Sequence, residues 1–297
     1  MTDDGVTDDG VLVRGTSDHG ALLRIAGEIL DSVVDDFVAG LGAPSAVAKG
    51  GTDFATQVDL DLERRIVADL TERTGIPVHG EEFGGPSVTE GTVWVLDPVD
   101  GTYNYSSGMP LTGILLGLLV DGEPVLGLTW LPLVGRRYAG HVDGPLYVDG
   151  RPVAPLEPID LRTSVVSYGP FNVAGHGRYP GARRADVLSA LSSRVSRLRM
   201  TGSTGVDMAY TAAGVFGGAI AFGRHAWDNA AGAALVRAAG GVATDLGGAP
   251  WTASSPSLVC AAPRLHAELM AVIDEVVGDE WGAASTTART DTTGGAS

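Results

Sequence analysis

The segment Trp94-Val95-Leu96-Asp97-Pro98-Val99-Asp100-Gly101-Thr102 limits what this chain can fold into more than any other stretch. An apolar run that ends in two acids three residues apart reads as a buried strand whose end carries the polar chemistry. Pro98 pushes Asp97 into an extended conformation, so its carboxylate should stand at the strand end and face outward. Val99 exposes a backbone carbonyl between the two acids, and Gly101 lets backbone amides approach an anion closely. Together with the upstream pair Glu81-Glu82, these are hard oxygen donors suited to a cation such as Mg²⁺ beside a phosphate-sized opening.

Charge narrows the reading. Acidic residues outnumber basic ones 36 to 20, a formal net charge of -16, whereas phosphate backbones and anionic lipids select basic faces. Nucleic acid and membrane surfaces are therefore not expected as partners. An acidic chain that handles phosphate has to neutralise it locally, and a bound cation does so directly, which points to metal-assisted hydrolysis of a phosphate ester. No apolar run approaches the roughly 18 residues of a membrane span, and the first residues are acidic where a signal peptide is basic and apolar. A cytoplasmic location is expected. The single cysteine, Cys260, lies in the apolar run Leu258-Val259-Cys260-Ala261 and reads as a buried structural thiol.

The chain divides into four stretches. Residues 1–17, with the near duplication Thr2-Asp3-Asp4-Gly5-Val6 and Thr7-Asp8-Asp9-Gly10-Val11, and residues 280–297, rich in Ser, Thr, Gly and Ala, read as disordered tails. Over 18–158, Leu22, Ala26, Ile29, Val33 and Phe37 predict one helix closing near Gly40; Val58, Leu62, Ile66 and Leu70 predict a second that stops at Gly75. Apolar runs at 93–96, 112–120 and 125–130, separated by turn signals such as Asp121-Gly122, predict an antiparallel meander. Over 159–279 the pattern alternates, with strands at 164–168, 195–199, 219–222, 242–244 and 258–260 and helices at 185–192, 206–215, 229–239 and 265–277. Helices, then sheet, then alternation predict an α/β (α+β) chain of two sheet-containing halves layered with helices, the first half carrying most of the candidate ligands and the second Asp228.

Several residues admit two readings from pattern alone. Glu81-Glu82, flanked by Gly80, Gly84 and Gly85, is a solvated loop or a ligand pair. Asp228, between Trp227 and Asn229-Ala230-Ala231-Gly232, is the N-cap carboxylate of a small-residue helix or a third acid for the same cation. His225 reads as packed or solvated, and Arg194, Arg197 and Arg199 as a solvated or ion-paired face. Lys49 either neutralises phosphate or sits on a loop.

Glu81 with Asp97-Pro98-Val99-Asp100-Gly101-Thr102, and Trp227-Asp228-Asn229-Ala230-Ala231-Gly232, closely resemble the two signatures of the inositol monophosphatase family of metal-dependent phosphatases, in order and at family-like spacing. The likeness runs from Lys49 and Asp53-Phe54-Ala55-Thr56 through Gly202-Ser203-Thr204-Gly205 to Gly240-Gly241, and is greatest to bacterial members. The resemblance implies a layered αβαβα sandwich of the sugar-phosphatase type, a homodimer, and two or three Mg²⁺ per site. It implies that Glu81, Asp97 and the Val99 carbonyl hold one ion, and that Asp97, Asp100 and Asp228 hold a second. Asp59 would pair with Thr102, and Asp59, Glu81 and Thr102 would orient and deprotonate the attacking water. Asp100, Gly101, Thr102, Gly202, Ser203, Thr204 and Asp228 would contact substrate.

The implied activity is a Mg²⁺-dependent phosphomonoesterase acting on a small polyol phosphate, with inositol 1-phosphate as the leading substrate. Histidinol phosphate, fructose 1,6-bisphosphate and 3′-phosphoadenosine nucleotides are alternatives on the same site. A non-catalytic regulatory binding protein of the same fold would show a lost metal ligand, and none is lost. Ala221, seven residues before Asp228, stands where inositol-specific relatives carry an acid, so modest discrimination among small polyol phosphates is expected.

Overall fold

The computed structural model describes residues 18–50, 53–278 and 281. The tails read from composition, 1–17 and 280–297, lie outside the described residues apart from Trp281. That residue is only 3 % exposed and meets Tyr179 and Phe222 edge-on, so apolar packing reaches into the stretch that its Ser- and Gly-rich neighbours mark as a tail.

The first layer is helical. Helix α1 (His19–Ser32) buries the stripe Leu22, Ile25, Ala26, Ile29 and Leu30; the break at Val33 separates it from the short α2 (Val34–Ala39), where the periodicity alone predicts one continuous helix. A hairpin of β1 (Ser45–Gly50) and β2 (Asp53–Thr56) leads into α3 (Gln57–Thr74), which starts on a capping box between Thr56 and Asp59 and ends on Gly75 in the left-handed conformation. The packed side of α3 covers the second layer, a seven-stranded sheet.

That sheet holds β3 (Val78–Gly80), β4 (Thr92–Asp100), β5 (Gly113–Val120), β6 (Glu123–Leu131), β7 (Arg136–His141), β8 (Tyr147–Val148) and β9 (Arg151–Pro152) in sequential order. Only β3 and β4 are parallel; the rest is the expected meander, continued by three strands beyond 130. The one-turn helix α4 (Thr102–Ser106) joins β4 to β5.

The second half runs β10 (Val165–Tyr168), α5 (Gly181–Ser192), β11 (Arg197–Arg199), α6 (Thr204–Ala212), β12 (Gly218–Ala221), α7 (Ala226–Ala238), β13 (Val242–Thr244), β14 (Leu258–Ala261) and α8 (Pro263–Val277). Its strands form a five-stranded sheet in the order β11-β10-β12-β14-β13. Helices α6 and α7 touch both sheets and form the middle layer, while α5 and α8 cover the outer face of the five-stranded sheet. The result is the αβαβα sandwich. Helix α7 can lie between two sheets because its buried face is made of Ala230, Ala231, Ala233 and Ala234, and a helix apolar on all sides is buried on all sides. No helix among the described residues is long and apolar enough to cross a membrane.

Candidate active site

Strand β4 delivers the first carboxylates. Its pairing with β5 slips between Asp97 and Asp100, a bulge located at Pro98, the residue that has no N–H to offer the ladder. The bulge is closed by Asp97 itself, whose Oδ1 accepts the Val99 amide at 2.9 Å. Gly101 follows at φ +82, and a side chain there would crowd Ser203 and the Gly202 carbonyl. Thr102 then opens α4, with its hydroxyl donating to the Val99 carbonyl at 3.1 Å.

Asp97 and Asp100 are 2 % and 5 % exposed, deep burial for carboxylates. Burial pushes Asp97 well above the usual carboxylate range, and Glu81, Asp100 and Asp228 push it further in the same direction. Asp100 is pushed up to about 6 by burial, against three hydrogen bonds that favour its charged form. Those bonds come from the second half of the chain: the Ser203 hydroxyl, the Gly205 amide at 2.8 Å and the Thr204 amide at 3.2 Å.

The turn that carries Glu81 is held by a residue that the sequence reading missed. Glu63 on α3 is buried, and its carboxylate accepts the amides of Glu82 and Phe83, each at 2.9 Å. It lies so close to Gly80 that any side chain there would overlap it. The signal was present in the sequence: Glu63 is an acid inside the buried stripe Asp59, Leu62, Glu63, Ile66, Leu70.

Asp228 is the third residue of α7. His225 occupies the cap position, so the N-cap reading of Asp228 fails and its carboxylate is left to face the cleft. That cleft, of about 320 Å³, is lined by Glu81, Asp97, Val99, Asp100 and Asp228, by Gly101, Thr102 and Gly202, and by the rings of Tyr103, His225 and Trp227. His225 stacks on Trp227 at 4.4 Å between centroids, and His79 stacks on Trp227 at 5.8 Å.

Three expectations change. Asp59 and Thr102 do not pair, because Asp59 uses Oδ2 for the Thr56 amide and hydroxyl while the Thr102 proton goes to Val99. Asp59 Oδ1 is left buried with no hydrogen-bond partner, and burial raises this carboxyl above its ordinary value. Ser203 and Thr204 do not line the cleft; they hold Asp100 from behind. Ala221 does not line it either, since it ends β12 opposite Leu258 and packs into the core at 6 % exposure.

A second unanticipated acid, Asp207 on α6, stands behind this wall. It accepts the Thr201 hydroxyl at 2.7 Å, and Thr201 in turn bonds the Ser203 amide and carbonyl. Asn104 on α4 pins the same loop by donating to the Thr201 carbonyl at 2.8 Å. Of the basic residues, Arg194 forms a two-bond ion pair with Glu275, Arg197 and Arg199 are exposed, and the side chain of Lys49 lies outside the described residues. Cys260 is buried.

The donor set is all oxygen: four carboxylates from β4, α7 and the turn after β3, with one backbone carbonyl. Such groups repel one another when empty and are satisfied by hard divalent cations, so the residues fit Mg²⁺.

Comparison with known proteins agrees with this geometry. The model of the inositol monophosphatase family matches residues 16–277. Inositol-1-monophosphatase ImpA of Mycolicibacterium smegmatis is 57 % identical over 253 residues, covering 85 % of this chain and 92 % of that one. A fructose-1,6-bisphosphatase/inositol-1-monophosphatase of Aquifex aeolicus is 31 % identical, covering 67 % and 75 %. Among solved structures, an IMPase of Thermotoga maritima superposes with a TM-score of 0.77 at 25 % identity, covering 87 % of this chain and 98 % of that chain. With sandwich, acidic cleft and family model in agreement over the same residues, the chain belongs to the inositol monophosphatase family of phosphatases.

Proposed function

We propose that this phosphatase hydrolyses the phosphate monoester of a small polyol, with inositol 1-phosphate as its leading substrate, in a Mg²⁺-dependent reaction. The observation that carries the reading is the convergence of Glu81, Asp97, Asp100 and Asp228 on one cleft from elements far apart in sequence. Glu81, Asp97 and the Val99 carbonyl would hold one ion, and Asp97, Asp100 and Asp228 a second. Magnesium supplies Lewis-acid chemistry, offsetting phosphate charge and making water acidic enough to attack at neutral pH.

The chain's own groups do the rest. The amides of Gly101 and Thr102 would bind phosphate oxygens at the cleft, whose wall holds no lysine or arginine among the described residues. Thr102 fixes the direction of the Val99 carbonyl through its hydroxyl. Asp59, with one buried oxygen unused and close enough to Glu81 to feel its charge, would take up the proton. Tyr103, His225 and Trp227 also line the cleft, and their rings would border the alcohol of the substrate.

The support from Glu63 makes a prediction. Glu63→Ala leaves the amides of Glu82 and Phe83 without their acceptor and releases Glu81, so the Mg²⁺ midpoint for turnover should rise about 10- to 100-fold. A metal titration that gives the wild-type midpoint would remove Glu63 from the support of the site.

Two substrates are favoured by different observations. The name of the Mycolicibacterium smegmatis relative favours inositol 1-phosphate, and that of the Aquifex aeolicus relative adds fructose 1,6-bisphosphate. With Tyr103, His225 and Trp227 at the cleft, the discrimination between them should stay within about 10- to 100-fold in kcat/KM. Phosphate release from these two esters, histidinol phosphate and a 3′-phosphoadenosine nucleotide measures it. Failure to cleave any of the four would overturn the reading in favour of a non-catalytic role. A homodimer, measured by light scattering, and a cytoplasmic location belong to the same proposal.

A further inference from the structure

The phosphatase reading leaves one group of metal-ligating side chains unused. His19 is the first residue of α1, His141 the last of β7, and Asp143 stands in the turn between β7 and β8. One donor atom from each lies within 4.8 Å of the others. None of the three lines the acidic cleft. His19 Nδ1 meets Asp143 Oδ2 at 2.7 Å, and the two imidazoles lie 5.9 Å apart between centroids at 45°.

The donor chemistry differs from that of the cleft. Two imidazoles and one carboxylate suit Zn²⁺ and its late first-row neighbours, whereas Mg²⁺ prefers oxygen alone. The Asp143 amide donates to His141 Nδ1 at 3.3 Å, so that nitrogen is the unprotonated one of the ring, and a cation bound there would displace this long hydrogen bond. Burial, and next the neighbouring His19, hold His141 below the ordinary histidine value and favour the neutral ring that a metal requires. Asp18, the cap residue of α1, adds a further negative charge near His141.

Access is graded in the right sense. The His19 side chain is 14 % exposed and that of Asp143 71 %, so the imidazole sits inward and the carboxylate closes the group from the solvent side. His141 also borders a depression of about 510 Å³ alongside α1, which leaves room for water at an open coordination position. Donors around a tetrahedral zinc ion lie about 3.3 to 3.5 Å apart, so the His19 and Asp143 atoms, at 2.7 Å, have to part slightly while the wider separations, up to 4.8 Å, close by roughly 1 Å. The exposed Asp143 turn can supply that movement.

We propose that His19, His141 and Asp143 form a second metal site, selective for zinc-class cations over magnesium, that clips the start of α1 to the β7–β8 edge of the large sheet and keeps one position for water. The site does not depend on the phosphatase reading. Binding joins segments more than 100 residues apart and acts on the native chain only, so it should appear as stability as well as stoichiometry.

The test uses the full chain without a histidine tag, in excess Mg²⁺ to occupy the acidic cleft, with Zn²⁺ added by equilibrium dialysis. Wild type should retain one zinc equivalent more than the His19→Gln/His141→Gln double variant. Its Tm should rise by about 5 to 10 °C at a zinc concentration near 100 Kd, with no such rise in the variant. Co²⁺ should give visible d–d bands in wild type that the variant lacks, and both signals should persist in Asp97→Asn, which disables the cleft alone. Should the double variant fail to fold, Asp143→Asn at its exposed turn should still weaken zinc binding at least 10-fold. Equal zinc retention and equal Tm response in wild type and the histidine variant, or unchanged affinity in Asp143→Asn, would overturn the proposal.

Discussion

Asp97→Asn is expected to lower kcat/KM by about 10³-fold or more while raising the Tm of the metal-free protein. Asp97 is assigned to both cations, so neutralising it removes charge from two coordination spheres at once. The substitution keeps the shape of the residue, and the amide oxygen still accepts the Val99 N–H that closes the bulge. Without metal, the wild-type carboxylate is buried among Glu81, Asp100 and Asp228, and each of them opposes its charge. Loss of that charge relieves the native state. The two readouts separate a ligand from a scaffold residue, because a purely structural Asp97 would lose stability along with activity. Near wild-type turnover at saturating Mg²⁺ would sink the bridging role.

Chelation should abolish turnover and leave a protein whose stability falls as pH rises from about 5 to 7.5. Asp97 stands well above the carboxylate range, Asp100 is pushed up to about 6, and Asp207 is pushed up to about 7, in each case chiefly by burial. In the unfolded chain these groups titrate near 3.9. Between the two values the folded chain binds more protons than the unfolded one, so raising the pH costs native stability. Surface carboxylates such as Glu28 and Glu275 are shifted down by their arginine partners and slope the other way, but only below about 4.5. Added Mg²⁺ should flatten most of the fall by occupying the ionised cleft. The part that remains belongs to Asp207 and Asp59, which lie outside the cleft, and Asp207→Asn should remove the share at higher pH. Tm measured against pH, with and without Mg²⁺, decides this; a flat metal-free profile would contradict the buried-carboxylate account.

Much of the sandwich was legible in the chain. Periodicity places α3, α8 and the run from β4 to β6 because each has a single apolar face or a continuous buried run. The β1–β2 hairpin escaped notice because Ala46, Val47 and Ala48 are exposed, so no apolar alternation marks it. The helix break at Val33 is equally silent, since Val33 and Phe37 stay buried on the same side. Among candidate site residues, those announced by local motifs reached the cleft. What sequence could not supply was the division of labour across distance: Ser203 and Thr204 read as substrate contacts, yet they spend their donors on Asp100, more than 100 positions away. The Asp59 and Thr102 pairing failed for a related reason. Each side chain had a competing partner three residues along its own chain, and those local bonds prevailed.

Helix α7, shared between the two sheets, sets the order in which this enzyme can come into being during synthesis. A ribosome releases Glu81, Asp97 and Asp100 long before Ser203, Gly205 and Asp228 exist. Until residues 203–238 emerge, the inner face of the large sheet lacks the α6–α7 layer, and Asp100 lacks the loop that orients it. The nascent first half is therefore an acidic, half-clad sheet that gains its catalytic pocket and its protective layer in one event, late in translation.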